Sequence, residues 1–166
     1  ILSTGLMLGF RELGISAELV SLTSEAEQKK FAVLGSAACF DSPSWYELVV
    51  EGRKVSGSAQ LRKFGVILQH GSILLDLDAD LLFQVLRYPS EEMRQKMKQL
   101  FIHRAVAINQ LLPQPVSWEE AHLAFRKGFA MGLGTEGLEG ELTVYETRLA
   151  QQLAEKYGDD SWTFRR

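Results

Sequence analysis

The sequence predicts an α+β fold, with strands gathered in the first half of the chain and helices in the second. Three features carry that reading. Residues 45–76 hold three β-leaning runs, Trp45–Val50, Lys54–Gln60 and Val66–Asp76. From Asp78 onward the apolar spacing becomes helical. Two capping signatures, Ser117 to Glu120 and Thr143 to Glu146, mark helix starts in the second half. With 166 residues, 46% of them hydrophobic, there is enough chain for one ordinary globular domain.

Taken in order, Leu2, Leu6, Phe10 and Leu13 recur at helical spacing, and Gly14 supplies a stop. Ser16–Val20 alternates weakly and predicts a short strand, and residues 21–36 are polar without a period and predict a surface loop. Trp45–Val50 and Lys54–Gln60, joined by Glu51-Gly-Arg53, predict a hairpin. Val66–Asp76 is apolar enough to suit a strand covered on both faces, and Gly71 within it marks a bulge or a close backbone approach to a ligand. Asp78 or Asp80 can cap a helix through Leu86, and Ser90 starts another that is well supplied with Lys and Arg. Pro113 and Pro115 mark a linker. The capping signatures then open helices running to about Leu133 and Tyr157, separated by the Gly-rich stretch 132–140.

Charge and composition exclude several classes of function. A formal charge of −3 and a pI near 5.7 offer no basic field for nucleic acid or an anionic membrane. The apolar runs are shorter than the roughly 20 residues a spanning helix needs. One cysteine cannot form an internal disulfide, so a reducing cytoplasm is expected. His103 and His122 show no metal-ligand spacing, and no metal site is predicted.

Three residues stand out chemically. Cys39 sits between a polar loop and Asp-Ser-Pro, which suits a reactive thiol near a turn; a buried inert thiol is the other reading, and residues alone leave both open. Lys54 precedes the small run Ser56-Gly-Ser-Ala59, where a ligand could lie against the backbone while the amine holds a carbonyl oxygen; an ordinary surface lysine fits equally. His70, beside Gly71 in an apolar run, is read more readily as a core histidine than as a catalyst.

Read together, Cys39-Phe-Asp-Ser-Pro-Ser-Trp-Tyr-Glu-Leu-Val-Val-Glu-Gly-Arg-Lys-Val-Ser-Gly-Ser-Ala-Gln60 resembles the cysteine-dependent octanoyltransferases of lipoate assembly, within the biotin/lipoate protein ligase superfamily. Gly65–Asp78, Ala105-Val-Ala-Ile-Asn109 and Ser161-Trp-Thr-Phe-Arg165 continue the match. The resemblance implies the C-terminal portion of a ligase-like catalytic domain over residues 1–112, a mixed sheet with packed helices, followed by a helical segment at 113–166. It implies transfer of octanoate from acyl carrier protein to Cys39 as a thioester, then to a lysine of the glycine cleavage H protein or another lipoyl domain. Cys39 takes the nucleophile's place and Lys54 that of the binding-site lysine, with Gly57, Ser58, Ala59, His70 and Gly71 around the acyl group. No cofactor is implied, since thioester exchange needs no ATP.

Three other activities share parts of this pattern: an ATP-dependent lipoate ligase, an octanoyl amidotransferase and a non-catalytic acyl-binding fragment. Pro43-Ser-Trp-Tyr-Glu47 favours the carrier-protein-dependent type. The superfamily's Arg-Arg-x-Thr-Gly-Gly segment is not among these residues. Upstream strands are therefore expected to complete the sheet, with an apolar patch near Gly57, Ala59 and His70 left open in their absence.

Overall fold

The computed structural model describes residues 2–21 and 46–165, which fall into two compact units divided after Thr135. The loop expected at 21–36 and Cys39 lie outside the described residues, apart from Ser21.

The first unit opens with helix α1, Leu2–Glu12, and turns at Gly14, whose φ of +76° is the left-handed conformation that glycine adopts without strain. Strand β1, Glu18–Ser21, follows, close to the predicted Ser16–Val20. Strands β2, Tyr46–Val50, β3, Arg53–Lys63, and β4, Val66–Ile73, complete an antiparallel sheet in the order β1-β2-β3-β4. Both hairpins close on two residues with positive φ, Glu51-Gly52 and Phe64-Gly65, the geometry that matches the twist of paired strands. A parallel bridge from Lys54 to Ala105 gives the sheet its mixed character.

Helix α2, Ala79–Val85, starts at Asp78, whose carboxylate accepts from the Leu81 N–H at 2.9 Å. Helix α3, Glu91–Ile102, starts at Ser90 in the same way. Arg94 of α3 donates to the Phe83 and Gln84 carbonyls at 2.8 and 3.2 Å, satisfying acceptors that the end of α2 would otherwise leave open. Beneath these helices Phe83, Met97, Phe101 and Ala105 form one core cluster. Helix α4, Trp118–Leu133, runs over the predicted span and ends at Gly134 in the left-handed conformation. Its capping box is formed: Ser117 N–H donates to the Glu120 carboxylate at 2.7 Å, and the Glu120 N–H donates back to the Ser117 hydroxyl. Hydrogen bonding to the carboxylate, from the Ser117 backbone first and then from the Ser117 side chain, holds the Glu120 carboxyl below the usual range.

The main core lies between the sheet and the α1–α4 pair, with Phe10, Ile15, Leu48, Val50, Val55, Val106, Ile108 and Phe125 at its centre. The two helices approach closely because glycines face each other along the contact. A Cβ at Gly128 would stand 2.2 Å from the Gly9 nitrogen and 2.5 Å from the Gly5 oxygen. Rings fill the remaining space, with Phe10 and Phe125 edge-to-face at 5.0 Å. Periodicity located α1 but said nothing of this glycine contact.

Strand β4 departs from the expectation that it is covered on both faces. Val66, Ile67 and Leu68 are exposed, as are Leu61 and Phe64. The reason is geometric: β3 and β4 touch the core only near Ser56 and Ile73, and the rest of the hairpin extends past it. Gly71 makes no bulge, since the β3–β4 register is regular; a Cβ there would meet the Gly57 oxygen of the neighbouring strand at 2.2 Å.

The second unit holds helix α5, Val144–Gly158, with the predicted capping box at Thr143 and Glu146, and a short α6, Asp160–Thr163, which was not predicted. Tyr157 and Trp162 pack edge-to-face, and Arg165 stacks on the Trp162 ring at 3.2 Å.

The glycine contact yields a direct test. Gly128→Ala gains about 1 kcal/mol of helix propensity. The new methyl would have to push two backbones apart, and overpacking on that scale costs about 3 kcal/mol or more. A net loss of about 2 kcal/mol is expected in denaturant unfolding, whereas Gly158→Ala, with nothing within 4 Å of its Cβ, should be neutral or stabilising.

Candidate functional site

The predicted site residues other than Cys39 lie along β3 and β4. Register sets which of them share a face. Across β3 and β4, Gly57 pairs with Ser72, Ser58 with Gly71, and Ala59 with His70. Directly opposed residues project to the same side and neighbours along a strand to opposite sides. Gly57, Ala59, His70 and Ser72 therefore share one face, and Ser58 lies with Gly71 on the other.

Lys54 would fall with Ser58 if β3 alternated without interruption. It does not. Leu48 pairs with Ser56 but Val49 pairs with Lys54, so β3 carries one extra residue, Val55, at this point. Such a bulge turns the strand and re-aims the side chains on either side of it. Leu48, Val55 and Ser56 are buried, and the first two belong to the main core. Lys54, paired with Val49, is thereby set on the side away from that core, the side of Gly57, Ala59 and His70. The bulge brings these four together and leaves Ser58 and Gly71 on the opposite face.

The backbone of Lys54 is fixed as well. Its N–H donates to the Arg104 carbonyl at 2.6 Å and its carbonyl accepts from Val106 N–H at 3.0 Å. The run that follows crosses to the exit of β4, where the Ile108 and Asn109 N–H groups donate to the Leu74 and Leu75 carbonyls at 2.8 and 2.9 Å. Residues 104–109 thus continue the sheet where β4 leaves off. Ala105, Val106, Ala107 and Ile108 are almost wholly buried, while Lys54 is half-buried. The sequence marked Ala105–Asn109 as a motif, yet gave no sign that it pairs with Lys54. Its one local signal is an apolar run too short for a helix.

Chemically, this face offers an amine on a fixed strand, a surface of small side chains and an imidazole. Ala59 and His70 are exposed and Gly57 is half-buried, so the backbone between them is approachable. An open groove of about 470 Å³ beside Met7, Arg11 and Ile15 shares none of the predicted site residues. Among the described residues no group of three or more His, Cys, Asp or Glu side chains could hold a metal ion. Among them too, no helix is long and apolar enough to cross a membrane.

Comparison with known proteins gives a consistent picture. Over 167 aligned residues the chain is 56% identical to the octanoyltransferase LipM of Brevibacillus brevis and 49% identical to that of Bacillus subtilis. All of this chain is covered in each case but only 60% of the relative, so the chain spans about three fifths of the length of the curated relatives it matches. Among solved structures, it superposes on a bi-partite lipoate protein ligase from Thermoplasma acidophilum with a TM-score of 0.74 at 23% identity, covering 97% of this chain and 55% of that one. A lipoate-protein ligase A bound with ATP gives 0.69 at 22% identity, covering 97% and 56%. At such identities the likeness establishes the fold, an α+β sheet with packed helices as the sequence predicted. Residues 2–130 match the family described as the lipoyl protein ligase A/B catalytic domain. The match takes in both core clusters, the whole sheet and the bulge at Val55, and the chain belongs to that family.

Proposed function

We propose that the polypeptide to which this chain belongs is an octanoyltransferase of lipoate biosynthesis that carries the octanoyl group on Cys39. The observation that supports this most is the identity of 45–56% to octanoyltransferases along the entire chain, including the segment from Cys39 to Gln60. The donor is octanoyl-acyl carrier protein, and the acceptor is a lysine of the glycine cleavage H protein or another lipoyl domain. In this reading residues 1–112 supply the C-terminal portion of the catalytic domain and 113–166 a helical segment, whereas compactness separates the chain only after Thr135.

The chemistry runs in two steps. The Cys39 thiolate attacks the donor thioester, and the carrier's thiolate leaves, taking up the thiol proton. The acceptor amine then attacks the Cys39 thioester, forms the amide and returns the thiol. The first step is close to thermoneutral and the second is downhill, so no nucleotide is consumed. The Lys54 ammonium favours the thiolate and stabilises the oxyanion in both steps. Gly57, Ala59 and His70 on the Lys54 face line the path of the acyl chain, while Ser58 and Gly71, assigned to the acyl group by the resemblance, lie on the opposite face of the same strands. The apolar residues exposed on the outer parts of β3 and β4, Leu61, Val66, Ile67 and Leu68, suit cover by further strands of the full polypeptide.

The reading is tested with the full polypeptide and octanoyl-carrier protein. Without ATP, intact mass spectrometry should show one octanoyl group, mapped to the peptide containing Cys39 and lost in Cys39→Ala. Acylation elsewhere, full turnover by the alanine variant, or dependence on ATP would overturn it.

For Lys54→Ala the rate of Cys39 acylation should fall roughly a hundredfold to a thousandfold, the scale for losing one oxyanion donor. Lys54→Arg should recover only part, because a planar fork presents its charge differently from a compact amine. Stopped acylation time courses measure both, and a wild-type rate in Lys54→Ala would make this lysine an ordinary surface residue.

A further inference from the structure

We propose that Asn109 is a positioning residue for Lys54, holding the run 104–109 in the register that fixes the lysine's backbone. The inference rests on the role of Lys54 proposed above and adds the device that sets its place.

Asn109, at the end of that run, uses both ends of its side-chain amide. Its side-chain amide donates to the Asp76 carboxylate at 3.1 Å and to the Val116 carbonyl at 3.4 Å, and its side-chain oxygen accepts from Val116 N–H at 2.9 Å. Its own N–H bonds to Leu75. One orientation of the amide satisfies all of these; reversed, it would set oxygen against carboxylate and N–H against N–H. The side chain therefore ties together the residues that follow β4, the run 104–109 and the lead into α4. At the other end of the run, Arg104 and Val106 hold both backbone groups of Lys54. Between the two ends the chain is buried and bridged, with Ala107 N–H donating to Gln110 at 2.9 Å. A shift at Asn109 has little room to dissipate before it reaches Lys54, since close-packed interiors transmit displacement.

The pair with Asp76 permits an exchange of donor and acceptor. Asn109→Asp opposes two carboxylates and loses the donor; combining it with Asp76→Asn restores a donor–acceptor pair, with the net charge unchanged. Three quantities are read in the full polypeptide: the rate of Cys39 acylation, the KM for octanoyl-carrier protein, and the pH dependence with which an amine-directed acetylating reagent labels Lys54. Asn109→Asp and Asn109→Ala should slow acylation about tenfold to a hundredfold, the scale of a displacement near 1 Å. KM should stay near that of the wild type and the Lys54 labelling profile should move. The exchanged pair should bring rate and profile back to within about threefold of wild type. Wild-type rates in both single variants, with Lys54→Ala slow, would overturn the inference and leave the role of Lys54 standing. Slow variants with an unchanged labelling profile, or a folded exchanged pair without recovery, would reduce Asn109 to a loop fastening and also overturn it. A wild-type rate in Lys54→Ala removes the role of Lys54 and this inference with it.

Discussion

The backbone hydrogen bonds made by residues 104–109 join parts of the first unit that no other described segment connects in this way. At one end they hold Lys54 from the side opposite β2, and at the other they hold the residues leaving β4. The same run carries Ala105 into the core beneath α2 and α3 and Val106 and Ile108 into the core beneath α1 and α4. Its side chains knit two apolar clusters while its peptide groups extend a sheet. Buried peptide groups left unpaired would be costly, so a run this apolar is held in place as much by its need for partners as by its packing.

That constraint explains why the bulge at Val55 is tolerated. An extra residue interrupts the ladder between β2 and β3 and leaves the peptides around it in need of other partners. Those of Lys54 find Arg104 and Val106. Val55 is itself completely buried, so the irregularity is anchored by apolar packing on one side and by hydrogen bonds on the other. A strand deformed and then fixed from two directions is a precise mount for one side chain. Here that side chain is the amine on the small-residue face.

Local features of the fold were legible in the sequence where one residue type answers one local need. Asp78, Ser90, Ser117 and Thr143 cap the helices they were expected to cap, and Gly14 turns the chain as a left-handed glycine. The hairpin through Gly52 followed from β-propensity and a turn residue. What escaped was non-local. Nothing in Lys54-Val55-Ser56 announces a bulge, because its evidence is the pairing partner rather than the residue. Glycine has a low helix propensity, and the use of Gly5 and Gly9 in α1 emerges only against Gly128, Phe125 and Phe129 of α4. The apolar character of Val66–Leu68 was read as burial, though these residues are exposed. Of the candidate site, the residue types and their order along the strands were visible, but their division between two faces required the register.

The separation along the chain between Lys54 and its backbone partners also bears on how the protein is made. On a ribosome, Lys54 emerges about fifty residues before Ala105 and the end of β4 about thirty, an interval of seconds at ordinary rates of elongation. Both hairpin turns are local and can close at once, whereas the edge of Lys54 away from β2 has no strand beside it until residues 104–106 arrive. During that interval the peptide groups of Lys54, Leu74 and Leu75 that later bond residues 104–109 present an open edge to other chains. Neighbouring nascent chains on one message would carry the same edge at the same stage, so yield in a cell should depend on how quickly translation carries each chain through Asn109.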